Sequence, residues 1–585
     1  MASGKQADDS NKEKAAPIKD KATINGEKAA LNKTLQSDKQ KIESICRLSG
    51  VVGAIVTVID DGAVVFKEGI GYRDWDTKEP VTAETIFPIA GLTESFTGFC
   101  LDQLRSRGKL SYTDAISAED SDSGRATVFT IADLVAHRTG VREGSRIWEG
   151  AGGQVLLTSE QISTMFRAFI PRGSPRAVFN RCSLGYEILG DVIADVSGQR
   201  YHDYLELNVL APLSMTRTIT TNNNASTDGK SDNSDEIDWG TPFDDNHTQA
   251  YNVWGETNNP HPVPLPGVVA SGPLGAAEGL LSTANDLSTF YKLLMSHWSI
   301  QNKLENGQKR EAETMLVAGG DIRWLFTPLQ VMETPTFREK SYATGWARSQ
   351  LPGTVGNFTV NAELVEKMPI LGAGILPPTK TRLALWNQGS LVGASHFVML
   401  LPETESAVIV LTNTTTRNDA AHWIGQLLVE TLLAKENDSQ PRTNDYVRLA
   451  VESVSKARKK YEELTQDVQI GAVSGGPKRK LKEYVGMYVG IAGSFALEIV
   501  LDDDGKLEMR MQGRKTQGYT LSHHHDDTFT WFTSYDDQLQ RGRRVHYHPT
   551  PFLIEFKGKP INVIRWIQDP VGRPDGELFV KKTGK

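Results

Sequence analysis

At 585 residues the chain is too long for one domain of ordinary size, and 39% apolar with 23% charged residues is the make-up of a soluble globular protein. A net charge of -8 offers no basic excess to grip phosphate backbones, which argues against nucleic acid as a partner. The three cysteines, Cys46, Cys100 and Cys182, lie far apart, so a disulfide framework or a cysteine metal cluster is not expected and a reducing, cytoplasmic setting fits better.

Residues 1–40 are rich in Lys, Asp, Ala and Asn and read as a disordered tail. They hold no apolar run resembling a secretory leader, and nowhere do about 18 to 20 apolar residues follow one another to span a bilayer, so no membrane partner is expected. Order begins at 51–74, where two β-branched runs flank Asp60-Asp61-Gly62 as a hairpin. Phe96, Phe99, Leu101 and Leu104 lie near helical spacing before a stop at Gly108. A short helix is expected over 131–141, ending at Gly140, and two helices over 184–213, broken at Gly198. Residues 220–238 are a polar low-complexity insertion, read as a mobile loop. A helix follows over 278–298 with Ser282 or Thr283 as candidate caps, then a strand pair over 396–414 and an amphipathic helix over 419–434.

A charged helix and a Gly/Pro/Lys hinge occupy 441–478. Beyond them the apolar period changes to two, with a hairpin around Asp503-Asp504-Gly505 and further short alternating runs, the pattern of a small all-β barrel. The expected organisation is a tail (1–40), an α/β (α+β) domain with an antiparallel sheet flanked by helices (41–440), a helical linker (441–478) and the barrel (479–585).

Five segments in order carry a family pattern. PIAGLTESFTG (88–98) resembles I-A-S-x-x-K-x-F-T-A, and DLVAHRTGV (133–141) resembles D-L-L-S-H-T-S-G-L. DVIADVSGQRYHDYLELNVLAPLSMTRT (191–218) is similar to the stretch after the second motif. AAEGLLSTANDLSTF (276–290) resembles A-A-G-G-L-x-S-T-A-x-D-L-x-x-F, and QGSLVGASHFVMLLPETESAVIVLTN (388–413) resembles H-x-G-x-x-x-G-x-x-S through V-V-L-T-N. From about residue 45 to 435 the chain thus resembles the serine β-lactamase and penicillin-binding-protein family, in particular class C β-lactamases, peptidase S12-type enzymes, esterases and lovastatin-type acyltransferases. The resemblance implies the β-lactamase/transpeptidase-like fold with its helical subdomain, and the C-terminal module resembles the lipocalin-like appendage of many members. Intracellular members are frequent in fungal secondary metabolism, which extends to this chain only by analogy.

In that family a Ser at a helix N-terminus attacks an acyl carbon, a Lys one turn on and a Tyr move the proton, and backbone N–H groups form an oxyanion hole. By the resemblance, the Ser position is Gly91, the Lys position Glu94, the Tyr position Arg181 (followed by Cys182 and Ser183), and the third motif reads Asn387-Gln388-Gly389. The usual activated hydroxyl is therefore absent. A carboxylate in a cleft is costly unless paired, which predicts a Glu94–Arg181 ion pair. The N–H groups of Gly91 and Ser390 are expected to keep the anion hole. Ser183, Asn387, Gly389, Ser390, Trp386 and Cys182 are the candidate substrate-binding residues.

Three readings follow. In the first, a non-acylating cyclase, isomerase or lyase-type enzyme acts on a small apolar metabolite, with Glu94 as acid or base and Arg181 as electrophile. In the second, acyl chemistry persists through Ser95, Cys182, Ser183 or Ser390, none of which has an evident base. In the third, the cleft only binds. No motif for a cofactor is present, and His523-His524-His525-Asp526-Asp527 reads as a solvated turn rather than a metal site. The oligomeric state has no signature.

Overall fold

The computed structural model describes residues 21–119, 126–169, 175–220, 246–305 except 256, 321–377 except 334, 380–435, 443–570 and 573–582. Residues 1–20 and, beyond Thr220, the polar insertion lie outside the described residues.

The first hairpin pairs β1 (Gly53–Asp60) with β2 (Ala63–Asp74). Its two turn residues, Asp61 (φ 50) and Gly62 (φ 66), are both left-handed, as a two-residue turn matched to the strand twist requires. With β3 (Glu79–Pro80), β4 (Gln330–Val331), β5 (Lys340–Tyr342), β6 (Ala347–Leu351), β7 (Arg382–Leu391), β8 (Ala394–Leu401) and β9 (Ser406–Thr412) they form one antiparallel sheet in the order β4-β5-β6-β7-β8-β9-β1-β2-β3. Because side chains alternate along a strand, Val56, Val58, Phe397, Met399 and Val410 line one face, and Ile55, Ile59, Val398, Leu400 and Ile409 the other. Both faces are covered, so the central strands read as continuous apolar runs.

The expected tail is corrected by α1 (Lys21–Ser49). Leu31, Leu35, Ile42 and Ile45 fall on one helical stripe and are buried behind the sheet, beside α7 (Ala420–Ala434). Burying each contributes about 1.5–3 kcal/mol, enough to order a segment whose composition is otherwise polar. In front of the sheet lie α2 (Thr93–Ser106), α3 (Ile131–Val135), α4 (Ser183–Ser197), α5 (Gly275–Glu278) and α6 (Ala284–Glu305), with Phe96 of α2 stacked on Phe290 of α6. Two helix boundaries differ from expectation. α3 opens on a Thr130/Asp133 capping box but stops at Val135, before His137 at φ 52. The run from 278 is split: α5 ends at Glu278, and α6 starts after Thr283, whose Oγ1 accepts from the Asp286 amide (3.1 Å). α4 ends on Gly198 (φ 73), where the break was expected.

The charged helix is α8 (Tyr446–Gln469). The C-terminal strands form a nine-stranded antiparallel sheet whose two end strands, Gly518–Thr520 and Ser522–His525, are consecutive in the chain, leaving a nearly closed barrel. Alternate residues fill its interior, among them Tyr488, Phe495, Phe529, Phe556, Trp566 and Phe579. His524 holds the linker by a 2.8 Å bond from Nε2 to the Val468 carbonyl. Among the described residues no helix is long and apolar enough to cross a membrane. The three cysteines are buried free thiols.

Candidate functional site

Gly91 lies in the tight turn just before α2, where strand β7 passes so close that a Cβ on Gly389 would meet the Ile89 carbonyl at 2.4 Å. The preceding Ala90 holds a left-handed φ of 51, a conformation costly for a residue with a Cβ. Asn387 staples this turn to the sheet: its Nδ2 donates to the carbonyls of Gly91 (3.1 Å) and Gly345 (3.0 Å), and its Oδ1 accepts from the Gln388 amide. A Cβ on Gly91 would lie 2.2 Å from Arg181 Nη2, so the guanidinium fills the space a side chain at 91 needs.

The expected ion pair is present, Arg181 Nη2 to Glu94 Oε1 at 3.0 Å. Two further donors serve the fully buried Glu94: the Tyr342 hydroxyl reaches Oε2 at 2.7 Å and His137 Nε2 at 3.4 Å. His137 Nδ1 accepts the Cys182 amide (3.2 Å), which leaves its ring proton on Nε2, facing the carboxylate. Burial raises the Glu94 carboxyl, but Arg181, His137 and Tyr342 outweigh it and hold the group at about 2. Burial likewise works against the Arg181 cation, and Glu94 and Tyr342 keep it firmly protonated. Among the described residues Arg181 Nε has no hydrogen-bond partner, and the side chain is 24% exposed. Around it stand Phe358, 5.2 Å from the guanidinium carbon, and Phe179, packed on Tyr342 and Phe358.

These contacts correct several sequence expectations. Glu94 has no surface to offer a substrate and is already served by three donors, so its geometry suits anchoring Arg181 rather than acid/base work. Trp386 lies in the core behind the sheet, its Nε1 donating to Ser349 Oγ (3.0 Å); Phe358 is the aromatic side chain that meets Arg181. Cys182 points into the protein, Sγ against the Arg142 carbonyl, and burial lifts its thiol well above the ordinary range. Asn387 and Gly389 build the turn and do not line an open cleft. Ser95 is buried, bonded to the Leu92 carbonyl. Ser390 is exposed at the end of β7.

A second carboxylate was not foreseen. Ser183, first residue of α4, donates its amide to Glu143 (2.7 Å) and its hydroxyl to Glu278 Oε1 (2.9 Å), so this serine does have a partner base. Glu278 Oε2 is buried without a partner among the described residues. Burial, helped by Glu143 and Glu149, pushes the Glu278 carboxyl up to about 7 against the pull of Arg544 and Arg181. Arg544 comes from the barrel: it pairs with Glu149 (2.7 Å) and donates to the Ser390 carbonyl. The barrel adheres to the same rim through Gln517 on both polar groups of Ala151, Gly152 on the Arg541 carbonyl and an Arg142–Glu577 pair. The appendage therefore packs directly against the segments that carry Glu149 and Ser390, beside Glu278.

Sequence reasoning missed His137, Tyr342, Glu278 and Arg544. One signal was in view, since Glu278 stands where the quoted A-A-G-G-L pattern has Gly. Tyr342 lies 248 positions from Glu94 and carries no local mark.

The curated proteins the chain resembles include Protein flp of Staphylococcus aureus (strain COL), 27% identical over 185 residues that make up 30% of this chain and 36% of that protein. D-aminopeptidase of Brucella anthropi is 27% identical over 168 residues, 28% of this chain and 32% of that protein. The chain thus spans about a third of the length of the curated relatives it matches. Among solved structures, the octameric penicillin-binding protein homologue from Pyrococcus abyssi superposes with a TM-score of 0.48 at 19% identity, covering 94% of this chain and 99% of that one. The family model described as Beta-lactamase matches residues 41–431, about two thirds of the chain and every element that assembles the Gly91 turn, and the chain belongs to that family.

Proposed function

We propose that the cleft performs non-covalent chemistry on a small apolar metabolite bearing a carbonyl, as a cyclase, isomerase or lyase-type enzyme, rather than forming an acyl-enzyme. The observation that carries this reading is the Arg181 guanidinium 2.2 Å from the place of a Cβ at position 91. By the family resemblance that is the nucleophile's place, and here a cation fills it. A cation fixed by a buried carboxylate suits stabilising an enolate or a polarised carbonyl, and the backbone N–H groups of Gly91 and Ser390, the anion hole the resemblance implies, would add to it. The aromatic side chains Phe179, Phe358 and Tyr342 beside Arg181 favour an apolar body on the substrate.

Incubation of the full chain with a fluorophosphonate and an activated ester, read by intact mass, tests this. No adduct and no ester turnover are expected; a serine adduct with turnover overturns the reading. One observation favours the second reading, acyl transfer through a relocated serine: the 2.9 Å bond from Ser183 to Glu278. Peptide mapping of any adduct to Ser183 would establish it.

A further inference from the structure

Glu278 combines two features that Glu94 lacks. It keeps a carboxylate oxygen without a partner among the described residues, and it faces cations from two different domains; its other oxygen shares a hydrogen bond with the Ser183 hydroxyl, which can relay a proton. Its position is rigid. The four-residue α5 follows Leu274 at φ 60, and its first residue, Gly275, and the Gly279 that ends it press on the backbone of Val269 and Ala270, where a Cβ would come within 2.4 or 2.5 Å. The groups facing it are Glu143 and Glu149 from the segment after α3, Ser183 and Arg181 at the start of α4, and Arg544 from the barrel.

We infer that Glu278, seated against Ser183 between Arg181 and the barrel's Arg544, is the group that takes and returns a proton in this cleft. The inference rests on the non-covalent reading and deepens it. In its ionised form the carboxylate removes a proton from a carbon next to the substrate carbonyl. The C–H bond breaks, its electron pair shifts to the carbonyl oxygen, and the resulting enolate faces Arg181. On a substrate with a β,γ double bond the enolate is a dienolate, and the proton on Glu278 returns to its γ carbon as the double bond moves into conjugation with the carbonyl, so that the net change is an isomerisation with nothing gained or lost. Arg544 is a positioning residue here: as a cation it favours the ionised form of Glu278, and through Glu149 and the Ser390 carbonyl it fixes the barrel to the cleft.

The test uses the full chain and nitrobenzisoxazole, a small apolar probe that opens to a cyanophenolate when a base removes its ring C–H proton and the N–O bond breaks. Turnover should exceed that of acetate and rise with pH as Glu278 ionises, with a midpoint near neutrality. Glu278→Gln should lower it about 100-fold. Arg544→Gln should move the midpoint to higher pH, because the cation that favours the carboxylate is gone; a residue that only supports the fold would not shift it. A wild-type rate no better than acetate, a Glu278→Gln variant with full rate, or a midpoint that ignores Arg544→Gln each overturns the inference. Fluorophosphonate labelling separates it from the reading it rests on. An adduct on Ser183 that disappears in Glu278→Gln would end the non-covalent reading and still establish Glu278 as the base, whereas an adduct indifferent to Glu278→Gln would end both.

Discussion

Glu94 is enclosed by Arg181, His137 and Tyr342, whereas Glu278 is enclosed with Glu143 and Glu149 and faces Arg181 and, from the barrel, Arg544. Glu94 is fully buried, and Glu278 keeps 7% of its surface. Burial alone raises a carboxyl in each place, so the difference comes from the neighbours: three donors converge on one group, while a single hydroxyl and two like charges attend the other. A buried carboxylate saturated with donors is part of the scaffold, and one left short of donors near a hydroxyl is available for proton transfer.

The sharpest way to break the comparison is to remove the charge of Glu94. Glu94→Gln strips Arg181 of its partner in a buried pair and should cost about 3 kcal/mol, measured by urea unfolding at neutral pH. Glu278→Gln should act with the opposite sign and only where the carboxylate is ionised. The folded value near 7 lies above the ordinary 4.5, so the stability that Glu278 contributes is complete below about 4.5 and is lost as pH rises through about 7. The variant should therefore match the parent at low pH and exceed it by on the order of 2 kcal/mol in mild alkali, read from paired urea midpoints. For Glu94, whose folded value of about 2 lies below 4.5, the contribution is complete above about 4.5 and is lost as pH falls toward 2, so the two groups tilt the pH profile in opposite directions.

Smaller changes sharpen the same contrast. Tyr342→Phe deletes one donor to Glu94 and should cost about 1.5 kcal/mol, with an earlier onset of acid unfolding as the Glu94 carboxyl moves up. Arg544→Ala removes the partner of Glu149 at a partly open site and should cost about 1 kcal/mol. Its clearer signature is faster hydrogen exchange in the 149–155 segment, where the barrel meets the rim; unchanged exchange there would show that Arg544 does not hold the two together.

Local pattern determined much of this protein. The Asp61-Gly62 turn, the stop at Gly198, the Asp419-capped α7 and the period-two alternation of the barrel each depend on residues within a few positions of one another, and each formed where the sequence implies. The same kind of pattern, five segments in order, was enough to indicate the family and to bring Glu94 and Arg181 together before any coordinates. The stripe of α1 was equally local, but its polar composition concealed it. Tertiary structure alone decided the chemistry at each carboxylate. The donors to Glu94 arrive from positions 137, 181 and 342, and the cation beside Glu278 arrives from position 544 on a separate barrel. A carboxylate's ionisation depends on distances of about 3 Å between groups brought together only by packing, and no spacing along the chain encodes those distances.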